Sequence, residues 1–203
     1  MDAVTFFLMQ HAGVHASEGG EPSYFDRAMD GLSEADMRAR PAKSVNSIVW
    51  LLWHMARTED ASVNLVVTNG RQVLDDTWIR RLGVDCRHIG TGMTEAEVSE
   101  LTLRADLAAV RAYRSAVARR TREVVGSLPA KAWDEPVTFA DTTRAAAAGA
   151  FGPNTSWVDG VGLPGWQDQS RAARLSGGAV RHNAVHIGEA VTIRGLAGRS
   201  VGM

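Results

Sequence analysis

Between residues 44 and 68 the chain sets apolar or small side chains around most of a helix's circumference, and this stretch limits what the chain can become. Val45, Ile48, Val49, Leu52, Met55 and Ala56 recur at the three- and four-residue spacing of one helical face. Trp50, Leu51, His54 and Thr58 form a second stripe beside it. A helix apolar on two adjoining faces is stable only when other elements surround it. Three further stretches can do so. Residues 3–17 carry Val4, Phe7, Leu8, His11, Val14 and His15 on one face and stop at Gly19-Gly20-Glu21-Pro22. Residues 94–125 open on the capping box Thr94-Glu95-Ala96-Glu97 and end before Gly126-Ser127-Leu128-Pro129. At ~1.5 Å per residue that third helix would span about 48 Å, so it should overhang or bend. Residues 174–197 form the fourth, with Gly198 just past its end.

Between these, residues 23–40 read as a short helical excursion and 71–93 as mostly loop. No strand-like alternation competes. The expectation is an all-α fold: a four-helix bundle in a single domain, residues 1–203, with a loop-rich insertion at 129–173 between the third and fourth helices. That insertion scatters Trp133, Trp157 and Trp166 among glycines and prolines. Structureless connections of this length are uncommon in compact domains, and three tryptophans argue against disorder.

Charge excludes several partner classes. The formal net charge is −1 with charged residues at 22%, so no basic stripe points to nucleic acid. Nothing approaches the ~20 apolar residues of a membrane span. The apolar start Val4–Met9 has Asp2 where a signal peptide has a basic region, and Gln10 and His11 cut it short. The single cysteine, Cys86, permits no intramolecular disulfide, which fits a reducing compartment. These observations predict a soluble cytoplasmic protein acting on a small molecule.

Chemistry concentrates in Arg181-His182-Asn183-Ala184-Val185-His186-Ile187-Gly188-Glu189. Histidines four apart project from one helical face, a spacing that lets two imidazoles hold one divalent cation. Asn183 stands where the metalloprotease pattern H-E-x-x-H needs glutamate, so that class is excluded. The paired Glu-x-x-His motifs of di-iron bundles are missing as well. What remains is a mononuclear site with open positions, and His54, midway along the most buried helix, is the best third imidazole. Glu189 shares the histidine stripe and could take a proton or orient an imidazole. Trp50 and Thr58 flank His54 on its stripe and are pocket candidates. His11 and His15 are a second i,i+4 pair: a rival for the metal, a polar wall of the same pocket, or plain core histidines. Gly188 inside a helix costs about 1 kcal/mol against alanine, which predicts close approach of another backbone. Cys86, between Asp85 and Arg87, lacks the helix context that lowers a thiol pKa.

The stretch Ser47-Ile48-Val49-Trp50-Leu51-Leu52-Trp53-His54-Met55-Ala56-Arg57-Thr58-Glu59-Asp60 resembles the first metal motif of the DinB-like superfamily. His182 to Glu189, followed by Arg194-Gly195-Leu196-Ala197-Gly198, resembles its closing motif. The superfamily includes mycothiol-dependent maleylpyruvate isomerases and bacillithiol transferases. The resemblance implies a four-helix bundle, a divalent metal (usually zinc or nickel) on His54, His182 and His186, a low-molecular-weight thiol cosubstrate and a homodimer. It implies a thiol S-transferase, with a metal-dependent hydrolase or a non-catalytic metal-binding stress protein as alternatives. The isomerase branch carries a carboxylate where this chain has His182, and the 129–173 insertion is longer than the family's connection.

Overall fold

Short polar side chains set the helix starts. Asp2, Ser23, Ser33, Ser47, Asp75, Thr94, Asp106, Thr138 and Ser170 each accept a backbone N–H of the first turn they precede. A computed structural model describes residues 1–19, 21–153 and 163–199. In chain order the α-helices are α1 (Ala3–Gly13), α2 (Tyr24–Met29), α3 (Glu34–Arg38), α4 (Ile48–Asp60), α5 (Asp76–Leu82), α6 (Glu95–Arg104), α7 (Leu107–Ser127), α8 (Phe139–Ala147), α9 (Leu163–Trp166), α10 (Arg171–Leu175) and α11 (His182–Leu196). Among the described residues no sheet forms; Pro136 and Ser170 make an isolated bridge. No helix among them is long and apolar enough to cross a membrane.

The bundle has the expected centre. Every residue from Ile48 to Asp60 is buried, with α7 along one side of α4 and α11 along another. The first rod, α1, packs on α7 and on the fourth rod. Two of the four rods are not plain α-helices. α4 runs on into a π-helical segment, Ala61–Val67, and α10 reaches α11 through another, Ser176–Arg181. The two segments cross at Gly178, where a Cβ would stand 2.3 Å from Ser62 Oγ and 2.5 Å from Ser62 Cβ. The close-approach glycine is therefore Gly178. Gly188, expected in that role, faces open space, with nothing within 4 Å of where its Cβ would be.

Other expectations need revision. The first helix ends at Gly13, not residue 17. The third rod breaks at Ala105, and Asp106 starts a new helix by accepting from Ala109 N at 2.8 Å. The break is held from outside: Asp106 N donates to Leu82 O at 3.0 Å and Arg38 Nη2 to Ala105 O at 2.8 Å. Residues 71–93 contain α5, capped by Asp75 but too short to show periodicity. The described part of the 129–173 stretch holds, between its loops, a 3-10 turn (Ala130–Trp133), α8, α9 and the start of α10. Short alanine-rich helices such as α8, which packs on the π segment of the second rod, leave little apolar signature. Trp133 and Trp166 are buried within it; Trp157 lies outside the described residues.

Candidate metal centre

His54 is presented from the middle of α4, His182 from the first residue of α11 and His186 one turn later. One nitrogen of each lies within 4.8 Å of the others. Ring centroids are 4.8 Å apart for His54 and His182, 4.9 Å for His54 and His186, and 4.5 Å for His182 and His186. His54 Nε2 is 3.1 Å from His182 Nε2. Two nitrogens on one tetrahedral zinc, each ~2.1 Å from the ion, would be about 3.4 Å apart, so the spacing suits shared coordination.

Each imidazole is aimed by its surroundings. His54 Nδ1 donates to the carbonyl of Ile89, which leaves Nε2 with its lone pair toward the other two rings. Trp50 stacks on His54 at 4.5 Å with 20° between ring planes. The loop carrying Ile89 is fastened twice: Ile89 N donates to Ala150 O at 2.9 Å, and buried Arg57 donates to Arg87 O at 2.7 Å. Gly90 follows with φ +90°, and any Cβ there would meet the Trp53 ring at 2.5 Å. That position requires glycine. His186 Nδ1 lies 2.8 Å from Glu189 Oε2, and Asn46 donates to the other carboxylate oxygen at 3.3 Å. Glu189 thus fixes the tautomer that turns His186 Nε2 away from it. Burial pushes the His54 pKa down to about 3, helped by His186. It pushes His182 to about 2, helped by His54 and His186. Both are neutral lone-pair donors at pH 7.

A second cluster lies deeper. His11 Nε2 and His15 Nε2 are each 2.9 Å from one oxygen of Glu59. Thr121 donates to Glu59 at 2.7 Å and Asn183 at 3.0 Å. Asn183 in turn accepts from Arg114 at 2.7 Å. One carboxylate thus joins all four rods of the bundle. Burial would raise the Glu59 pKa, but His15 and His11 hold it well below the usual range. Burial brings His15 down to about 4 against the pull of Glu59. Either cluster could hold a metal ion. In the second, the carboxylate is fully engaged by side chains and wholly enclosed. Glu59 is absent from the sequence expectations, yet a signal for it existed. Two acids, Glu59 and Asp60, lie on the most buried helix and must have buried partners.

Two hollows flank the three imidazoles. One, of about 300 Å³, is bordered by Thr58, Thr91, Trp166, Arg174, Arg181 and His182. The other, of about 270 Å³, is bordered by Asn46, Trp50, His54, Thr91, Met93 and Val98. They meet at Thr91. Trp50 and Thr58 therefore line the site, and the 129–173 insertion contributes Trp166. The first helix does not border it. His11 and His15 are turned to Glu59, and Trp133 packs edge-on against Phe7 at 6.2 Å. Burial pushes the Cys86 thiol up to about 12, so it stays protonated and is no nucleophile.

A family model described as the DinB superfamily matches residues 20–156, which include His54 but stop before His182. Among solved structures, the crystal structure of a conserved protein from Enterococcus faecalis is similar over 97% of each chain, with a TM-score of 0.69 and 18% identity. At that identity the likeness speaks to fold. No curated protein matches.

Proposed function

The chain belongs to the DinB superfamily, and from that footing we propose that it is a metal-dependent transferase that joins a low-molecular-weight, mycothiol-like thiol to an electrophile. The observation that carries the reading is the pair of hollows meeting at Thr91, one on the His54 side and one on the His182 side of the same three imidazoles. A two-substrate reaction needs two such approaches to one centre.

His54, His182 and His186 would hold one divalent ion, zinc or nickel. When bound, the ion supplies a positive centre that keeps a thiol ionised and nucleophilic near neutral pH. The chain's own residues do the rest. Ile89 and Glu189 hold two of the imidazoles in their donor tautomers. Glu189, already tied to His186 and Asn46, acts first by positioning and second as a relay for the thiol proton. Trp50 and Met93 give one hollow an apolar wall, and Trp166 lines the other. The reading takes small-molecule substrates, no nucleic acid and a cytoplasmic homodimer; Phe6 and Met9, exposed on the outer side of α1, support a self-association surface.

The test is metal analysis of purified protein, then a thiol panel (mycothiol, bacillithiol, glutathione, coenzyme A) with an electrophilic acceptor, comparing wild type with His186→Ala. Thiol conjugation lost in the variant is expected. Equal rates for both proteins with every thiol would remove the transferase reading and leave hydrolysis or metal binding without catalysis.

A further inference from the structure

Buried arginines in this protein are normally answered. Arg57 donates to Asp60, Tyr113, Gln72 and Arg87 O, and Arg114 to Asn183 and Val14 O. Arg174 is different. It is only 8% exposed, lies 4.2 Å over the Trp166 ring, and has no carboxylate or hydrogen-bond acceptor for its guanidinium among the described residues. A second guanidinium, Arg181, opens on the same hollow, which no acidic residue borders among the described residues. The two converge. Beside Gly177, the point a Cβ would occupy is 3.2 Å from Arg174 Nη2 and 3.5 Å from Arg181 Nη2. Two like charges brought together at a partly dry surface are unfavourable, and burying a cation without a partner is more so. Thr58 Oγ1 and His182 Nδ1, on the same hollow, are also buried without partners among the described residues.

We propose that the hollow beside His182 is an oxyanion pocket, in which Arg174 and Arg181 receive a carboxylate or phosphate of the substrate, with Thr58 as a further donor. One oxyanion offers the bidentate acceptor a guanidinium fork is built for, neutralises the paired charges and engages the orphaned hydroxyl. Trp166 holds the Arg174 plane by stacking while its edge stays free for the ligand. The pocket adjoins His182, so a molecule anchored there by its anionic end would lie with its remainder toward the three-histidine centre. This deepens the transferase reading by naming the charge class of one substrate; only that role rests on the reading, whereas anion binding itself does not.

Calorimetric titration of the full chain with inorganic phosphate and, separately, with malonate tests the proposal and distinguishes the two sources. Wild type is expected to bind at least one of them. Arg174→Gln should weaken binding by roughly tenfold or more, the loss of one charge-assisted contact, and Arg174→Lys should recover part of it. Arg181 is exposed, so Arg181→Gln should weaken binding without endangering the fold and keeps the test decisive if Arg174→Gln does not fold. Arg120→Gln, remote from the hollow, should bind as wild type. Wild type that binds neither anion at millimolar concentration, or Arg174→Gln and Arg181→Gln that both bind like wild type, would overturn the proposal. The metal-free His186→Ala variant should still bind the anion. If it does while thiol conjugation is undetectable in wild type, the transferase reading fails and the oxyanion pocket stands.

Discussion

Gly178 on the fourth rod lies against Ser62 on the second so closely that not even a methyl group fits between them. That contact sets the distance between the rods that carry His182 and His54. Gly178→Ala must push them apart, because Ser62 Cβ as well as its hydroxyl is in the way. Overpacking of this kind costs on the order of 1–3 kcal/mol. The expected outcome is a lower melting temperature together with reduced metal content, and the double variant Gly178→Ala, Ser62→Gly should restore part of both. A single variant with wild-type stability would show that the crossing is looser than described.

The two histidine clusters give opposite expectations for metal. His54→Ala, His182→Ala and His186→Ala should each purify without it. His11→Ala and His15→Ala should keep it while losing stability, since they break the Glu59 hub. Elemental analysis separates the two cases, and metal lost from the second pair alone would relocate the site.

Glu189→Gln probes positioning. An amide keeps the shape but loses the charge that holds His186 Nδ1–H. Loss of such an outer partner typically costs ~10–100-fold in metal affinity. Chelator competition should show a drop of that order with metal still bound at saturation. Unchanged affinity would leave Glu189 only its role as a relay.

Acid sensitivity follows from His15. Unfolded, it binds a proton with a pKa near 6.5; folded, only near 4. Below pH 6.5 the unfolded state therefore holds more protons, so stability is full above that pH and is lost as pH falls toward 4. The span corresponds to about 3 kcal/mol from this group alone, at ~1.36 kcal/mol per pKa unit. His54 and His182 act with the same sign. Denaturant unfolding of chelator-treated protein between pH 8 and pH 4.5 should show the decline, and His15→Gln should make it shallower. A flat profile in wild type would mean that the fold holds none of these three imidazoles neutral, His15 included.

The residues that were legible in the sequence are those whose signal is periodic. The circumference of α4 announced its central place, and the spacing of His182 and His186 announced a shared face. His54 was readable because an imidazole on that buried helix needs a partner. What escaped has no side-chain pattern. The acceptor that aims His54 is the main-chain carbonyl of Ile89, delivered by a loop, and any residue carries a carbonyl. The break at Ala105 depends on Arg38, 67 residues away in sequence. The buried place of Glu59 on the second rod was readable, but its four partners were not: three other rods bring them to it, and only the folded chain sets them side by side.

The π-helical run before His182 carries a consequence for tolerance of change. Six residues, Ser176–Arg181, are wound more loosely than an α-helix, so this piece of the rod holds more chain per turn than its neighbours. Were the same six residues wound as plain α-helix, everything beyond them would be turned by about 100°. His182 and His186 would then swing off the His54 side together, with every one of their own atoms intact. The loose winding of this short interval thus guards the site as strictly as residue identity, and a one-residue deletion between 176 and 181, which lets the segment close up as plain α with its phase kept, should be better tolerated than a one-residue insertion there.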